Sequence, residues 1–246
     1  MDFEGVHDGK VAVVLGGSRG IGAAIVERLA MDGATVAFTY AASSEPAQTL
    51  EARLKGAGCE AVALEADSGD VDQVAAAIEA AIAIFGRLDI LVVNAGILRN
   101  APIDQVSLED FDRVLAVNVR GVFAALRHAA PRMTAGGRII TIGSNIAMRV
   151  GFPQASVYAM TKAAVAALVR GAAIDLGPRG ITVNNIQPGP TATDLTEGSH
   201  EMILPLIPLG RLGRPGEIAG LVSYLAGEEA GFITGASLTI DGGASA

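Results

Sequence analysis

Tyr158 and Lys162 stand four residues apart in a segment of helical period, so their side chains project from one face about a turn apart. A tyrosine is a poor base near neutrality, with an ordinary pKa of about 10, whereas a neighbouring ammonium favours the phenolate and draws that value toward the working range. The pair is a candidate proton donor and acceptor with its tuning charge. Ser144 follows the apolar run Ile139-Ile140-Thr141-Ile142. That places it at the carboxyl edge of a parallel sheet, where open α/β folds bind ligands.

A second constellation lies at the start of the chain. Leu15-Gly16-Gly17-Ser18-Arg19-Gly20-Ile21-Gly22 follows the first apolar run and opens the first helical segment, the context a glycine-rich dinucleotide turn requires. Its glycines admit positive φ and let the backbone approach a pyrophosphate, while the helix N-terminus offers free N–H groups and a partial positive charge. The histidines His7, His128 and His200 have no ligand spacing and are expected to be a tail, a helix and a lid residue. The one cysteine, Cys59, excludes an intrachain disulfide and a multi-cysteine metal site, and is expected to be an inert thiol beside a strand. No metal is expected.

The elements that position these groups follow from periodicity. Runs rich in Val and Ile alternate with longer Ala-rich segments of helical period, the order of repeated βαβ units around a parallel sheet buried on both faces. Strands are expected over 11–15, 35–40, 60–65, 90–93, 138–142, 181–186 and 237–240. Helices are expected over 21–32, 47–57, 71–85, 108–131, 157–176 and 217–225. The fold class is therefore α/β, a doubly wound Rossmann sheet of seven parallel strands with helices on both faces, forming one domain over residues 1–246. Residues 189–215 carry extra prolines and little regular period, apart from a short helix around 200–204, and read as a substrate lid.

Composition bounds the function classes. The chain has 246 residues, 50% of them hydrophobic, enough for a large core in one α/β domain. Glu79 and Lys162 interrupt the best apolar runs, so no membrane span is expected. The acidic residues 1–5 lack the order of a secretory signal, so the expected location is the cytoplasm. A net charge of -8 with scattered Lys and Arg argues against a nucleic-acid partner.

The motifs together resemble the short-chain dehydrogenase/reductase family over residues 10–243. The glycine spacing is similar to the family's Thr-Gly-x-x-x-Gly-x-Gly, with Leu15 where the family has a Thr whose hydroxyl braces the turn. Asp67 matches the Asp that contacts adenine. Asn94-Ala95-Gly96 resembles the family's Asn-Asn-Ala-Gly, with Val93 in place of the first Asn, and lies along the cofactor. Asn118 matches the catalytic Asn, which anchors a water for proton relay. Pro188-Gly189-Pro190-Thr191-Ala192-Thr193 is similar to the loop over the nicotinamide, with Thr191 and Thr193 as contacts. The resemblance implies that Ser144 holds the substrate oxygen and that Tyr158 exchanges its proton. It also implies that Lys162 binds the nicotinamide ribose and lowers the tyrosine pKa, while hydride passes directly between nicotinamide and substrate.

Cofactor choice is read at the end of the second strand. NAD-using relatives carry an acid there, but this chain has Tyr40 in a stretch, 38–44, without one; Arg19 with Ser43 or Ser44 can bind a 2′-phosphate, so NADP (NADPH) is expected. The favoured activity is reduction of a small or medium ketone, with Ile97, Leu98, Asn145, Val150, Phe152, Gln154, Leu195 and the lid around the substrate. One alternative is a 3-oxoacyl-carrier-protein reductase, for which Arg179 would be the basic residue at the entrance. The other is a cyclic-di-GMP-binding regulatory oxidoreductase, a branch that 15–26, 38–41 and 187–190 also resemble. Relatives form tetramers, and the faces Phe123-Ala124-Leu126 and Ala163-Ala166-Ala167-Val169-Arg170 suit a homotetramer.

Overall fold

A computed structural model of the chain describes residues 5–198 and 200–246. Seven strands form one parallel sheet in the order β3-β2-β1-β4-β5-β6-β7: β1 Val11–Leu15, β2 Thr35–Tyr40, β3 Ala61–Glu65, β4 Ile90–Val93, β5 Arg138–Ile142, β6 Thr182–Pro188 and β7 Ser237–Ile240. Side chains alternate across the sheet, and both faces are apolar. Ala12, Val14, Val36, Phe38, Ile90, Val92 and Ile140 pack on one face with residues of α1 (Gly20–Met31), α2 (Ser44–Gly56) and α8 (Pro215–Ala226). Val13, Leu15, Ala37, Leu91, Val93 and Ile139 pack on the other, against α3 (Val71–Phe85), α5 (Val122–Ala129) and α6 (Ser156–Leu176). This is the seven-stranded Rossmann arrangement expected, with β6 running two residues further because Gln187 and Pro188 pair with Thr239 and Ile240.

The expected helix over 108–131 is broken. It consists of α4 (Leu108–Leu115), a π-helical turn Ala116–Gly121, and α5. The interruption has two anchors. The Asn118 amide is held by the backbone of Ile97, and Gly121 presses on Ser68, where a Cβ would fall 2.0 Å from the carbonyl oxygen. One residue is accommodated outside the 3.6 period so that Asn118 turns inward. The lid holds two short 3-10 turns, Asp194–Thr196 and Leu204–Leu206, and α7 (His200–Ile203) between them.

Burial bears on three other expectations. The helix Ser156–Arg179 is long and apolar enough to cross a membrane by length and composition, but Val165, Val169 and Ala173 pack in the core. In the faces expected to pair subunits, Ala124, Leu126, Ala166 and Val169 are likewise spent on the core, leaving Phe123, Ala163, Ala167 and Arg170 outward.

His7 is not a loose tail residue, being only 1% exposed. Its backbone N–H donates to Asp32 O (2.8 Å), and Ser223 Oγ lies 3.2 Å from Nε2 while donating to Asp32 Oδ2. A serine whose proton goes to Asp32 must accept from Nε2–H, so the neutral Nε2–H tautomer satisfies the chain of bonds. Burial holds this imidazole below its ordinary pKa, outweighing the pull of Asp32 and of the Ser223 bond. The unfolded chain therefore binds more protons between the two values, so the contribution is present above about pH 6.5 and lost as the pH falls through the folded value. Tm should decline with acidification in that window, and less steeply in His7→Gln. Equal slopes in a thermal-melt series would assign the decline to another group.

Candidate active site

The strand order reverses between β1 and β4, and both deliver their carboxyl ends to the crevice there. Gly16 follows β1 with φ +79° and abuts Ala95, whose Cα would lie 2.8 Å from a Cβ on it. A Cβ on Gly22 would lie 2.0 Å from Gly16 O. Asn94 closes the junction, its amide donating to Gly16 O at 2.7 Å. Leu15 spends its side chain in the core, and the brace that a threonine there would supply comes from β2. Thr39 Oγ1 accepts from Gly16 N–H (2.9 Å) and Thr39 O from Gly17 N–H (2.8 Å). The available signal was a threonine among the apolar residues of β2. Helix α1 starts at Gly20 without a side-chain cap and without an acid in its first turn, leaving its N–H groups to an anion.

Arg19 is 68% exposed and its Nη1 stands 3.6 Å from Asp194 Oδ2 in the lid. Tyr40 closes β2, half-buried against the core, and Ser43 precedes α2 with its hydroxyl making no cap bond. A cavity between the glycine turn and α2 is lined by Ser18, Ala23, Glu27, Glu45, Thr49 and Arg53. Glu27 pairs with Arg53, whereas Glu45 is an acid that a count confined to the strand end leaves out. Asp67 receives Arg113 of α4 on both oxygens (3.1 and 2.9 Å) and Gly69 N–H on Oδ1 (2.8 Å).

Ser144 ends the turn after β5 and accepts from Ile146 N–H at 3.3 Å. Tyr158 is half-buried beside Ile146, Ala155 and Ala159, with Ser144 close enough to favour its phenolate. Lys162 lies beneath, its Nζ donating to Ile142 O at 2.9 Å and standing 5.7 Å from the centre of the Tyr158 ring. Asn118 Oδ1 accepts from Ile97 N–H (2.8 Å), and its Nδ2 donates to Ile97 O (2.9 Å) and Thr161 Oγ1 (3.2 Å). A Cβ on Gly96 would fall 3.3 Å from Lys162 Nζ and 3.5 Å from Asn118 Oδ1, so the missing side chain keeps the space between them open. The four polar groups converge on one edge.

Their electrostatics depart from expectation. Burial pushes Tyr158 up to about 12, with the neighbouring Ser144 hydroxyl acting in the lowering direction, and pushes Lys162 down to about 8. Desolvation penalises phenolate and ammonium alike, and here it outweighs the pull expected of Lys162 on the tyrosine.

The nicotinamide-loop residues are fixed among themselves. Thr191 Oγ1 donates to Gly189 O (3.0 Å), and Thr196, which the sequence reading passed over, donates to Thr191 O (2.7 Å). A Cβ on Gly20 would approach Thr193 Cγ2 to 3.2 Å, so this loop rests on the glycine turn. Val150, Phe152 and Gln154 are exposed on the loop after Ser144, and Gln154 adopts φ +68°, a strained value for a non-glycine residue. The Leu195 side chain lies outside the described residues. Asn145 Nδ2 donates to Asp241 Oδ2 and Ser245 Oγ. Arg179 precedes β6, at the opposite end of the sheet from Ser144, with its guanidinium on Ala130 O and Met133 O.

A family model described as enoyl-(acyl carrier protein) reductase matches residues 16–245. The chain is 44% identical over 241 residues, 97% of its length and 98% of the relative's, to the cyclic-di-GMP-binding biofilm dispersal mediator protein of Escherichia coli. A solved short-chain dehydrogenase/reductase from Serratia marcescens superposes with a TM-score of 0.95 at 53% identity, covering 98% of this chain and 99% of that one. A short-chain dehydrogenase from Burkholderia cenocepacia, solved in complex with NADP, has a TM-score of 0.95 at 46% identity with the same coverage. Match and geometry agree along the whole sheet: the chain belongs to the short-chain dehydrogenase/reductase family of oxidoreductases.

Proposed function

We propose that this oxidoreductase uses NADPH to reduce a small or medium ketone, and NADP to run the reverse reaction on a secondary alcohol. One observation carries the reading: Tyr158 beside Ser144, with the Lys162 ammonium buried beneath, at the sheet edge that also holds the glycine turn. The residues fit a dinucleotide, because the α1 N-terminus is uncapped and Gly96 leaves room between Lys162 Nζ and Asn118 Oδ1. Gly16, Ser18, Gly20, Ile21 and Gly22 would hold the pyrophosphate, with Asn94, Ala95 and Gly96 along the ribose and Pro188, Gly189, Thr191 and Thr193 over the nicotinamide. Asp67, steadied by Arg113, would meet the adenine. When bound, NADPH supplies hydride from nicotinamide C4.

The chain's own residues handle the proton. Ser144 holds the carbonyl oxygen, and Tyr158, protonated at neutral pH because burial raises its pKa, donates its proton to that oxygen as the alcohol forms. Lys162, still an ammonium below about pH 8, binds ribose hydroxyls and favours the phenolate left behind. Asn118 keeps the π turn against Ile97, where a water for proton relay would be anchored.

The relative solved with NADP supports the phosphate-bearing cofactor. So does Tyr40 at the strand end, where an acid would repel a 2′-phosphate, while Arg19 and Ser43 supply a charge and a hydroxyl. The carrier-protein reading loses its basic residue, since Arg179 is committed to carbonyls at the far end of the sheet. A cyclic-di-GMP-binding role is the second reading, favoured by the name of the Escherichia coli relative. The protein works in the cytoplasm as a homotetramer, through outward Phe123 and Ile174 and the open edge of β7.

A panel of ketones followed by loss of NADPH absorbance tests the activity, and turnover separates it from sensing. Tyr158→Phe should bind NADPH nearly normally while losing about 10²- to 10⁴-fold in kcat; retention of more than a tenth of wild-type kcat would refute the acid assignment. NADPH should be preferred over NADH by roughly tenfold to a hundredfold in kcat/KM, as charge-assisted bonds of about 1.5–3 kcal/mol imply. Tyr40→Asp should shift the enzyme toward NADH; a wild type favouring NADH would overturn the reading of this end. Light scattering at micromolar concentration should give four chains, and a stable monomer would exclude the assembly.

A further inference from the structure

Strand β7 ends at Ile240, and the chain turns at once through Asp241, Gly242 and Gly243. The two glycines have φ +64° and +88°, and their bare Cα atoms press on the lid: a Cβ on Gly242 would fall 2.8 Å from Ile207 Cγ2, and one on Gly243 3.0 Å from Pro208 Cγ. Three loops of the candidate active site are fastened to this turn. The nicotinamide loop begins with Gly189, whose N–H donates to Ile240 O at 3.0 Å and whose missing Cβ would lie 2.4 Å from Asp241 Cβ. From the lid, Leu209 N–H donates to Gly242 O at 3.1 Å. From the Ser144 loop, Asn145 Nδ2 donates to Asp241 Oδ2 at 3.2 Å and to Ser245 Oγ at 3.1 Å. The second carboxylate oxygen, Oδ1, accepts from Gly243 N–H at 3.0 Å. Burial pushes this carboxyl up, but the neighbouring Ser245 together with the bonds from Asn145 and Gly243 holds it below its ordinary value.

Asn145 is the residue after Ser144, so whatever fixes its side chain fixes the backbone that carries the Ser144 hydroxyl. We propose that Asp241 is a positioning residue: its carboxylate holds Asn145 while its Cα and Cβ lie against Gly189, so that it sets where Ser144 stands relative to the loop over the nicotinamide. The inference rests on Ser144 holding the substrate oxygen. A misplacement of about 1 Å at a reacting centre can cost on the order of 10² in rate, so the effect belongs in kcat, with NADPH affinity little changed.

Removal and exchange of the two partners provide the test. In Asp241→Ala, Asn145 Nδ2 and Gly243 N–H both lose their carboxylate acceptor. In Asn145→Asp, two carboxylates meet. In the double exchange Asn145→Asp/Asp241→Asn, one donor again faces one acceptor, the new Oδ1 keeps Gly243 N–H, and the Ser245 hydroxyl can rotate to donate. Each single variant should lose at least about tenfold in kcat on the best ketone, with the NADPH Kd within about threefold of wild type and most of the kcat recovered in the double exchange. A merely structural bond would lower Tm without this split. Should Asn145→Asp fail to fold, Asp241→Ala and the exchange decide. The proposal is overturned if Asp241→Ala keeps kcat within twofold, or if the exchange recovers Tm and not kcat. Ser144→Ala and Tyr158→Phe run alongside: if they stay active the functional reading itself fails, whereas if they are dead and Asp241→Ala is active only this inference does.

Discussion

The Lys162 ammonium, 5% exposed, is the constraint around which the rest of the site is arranged. An ion taken from water into a protein interior is costly unless acceptors are built for it. Ile142 O, the last carbonyl of β5, is one such acceptor, which locks the rotation of α6 to the end of the strand. With α6 so turned, Tyr158 stands one turn earlier on the same face and meets Ser144, two residues beyond Ile142. Gly96 completes the arrangement from β4, since any side chain there would crowd the ammonium. A shift of any one of these segments would displace the other three.

Tyr158 and Lys162 answer the same burial in opposite directions, one to about 12 and the other to about 8. At neutral pH the tyrosine is therefore a neutral acid and the lysine a cation, the protonation states needed to hand a proton to a carbonyl oxygen and stabilise what remains. On the proposed reading, alcohol oxidation would need the phenolate, which costs more in this environment, with Ser144 acting to favour it.

The sheet was legible because β1, β2, β4 and β5 are largely apolar on both faces, a pattern that burial between two helix layers requires; five of the strands begin and end where the residue types change. The glycine turn and the Ser144, Tyr158, Lys162 set were legible through spacing that a strand end or one helix face fixes. What escaped was set by partners distant in sequence. The π turn depends on Ile97, which is 21 residues from Asn118, and the turn brace on Thr39, which is 23 residues from Gly16. The side-chain bonds of Asn145 were equally hidden, since its partners lie 96 and 100 residues on. His7 looked like a tail residue until Ser223 closed over it, 216 residues away.

These escaped contacts share a physical cause. Loops at a sheet edge have no ladder to satisfy their N–H and C=O groups, and an unpaired buried one is costly, so side chains from other segments must take the ladder's place. Thr39 and Asn94 do this for Gly16, Asn118 for Ile97, and Thr196 for Thr191 and Thr193. Thr39, Asn94 and Thr196 are small, polar and placed at or beside the end of an element, where composition reads them as turn formers, and Asn118 sits in the π turn between two helices. Among the described residues no buried side-chain nitrogen or oxygen is left without a partner. Polar residues at the carboxyl edge therefore divide into those that can face a ligand and those already committed to a neighbouring loop. The second group sets the shape of the cleft in which the first group acts.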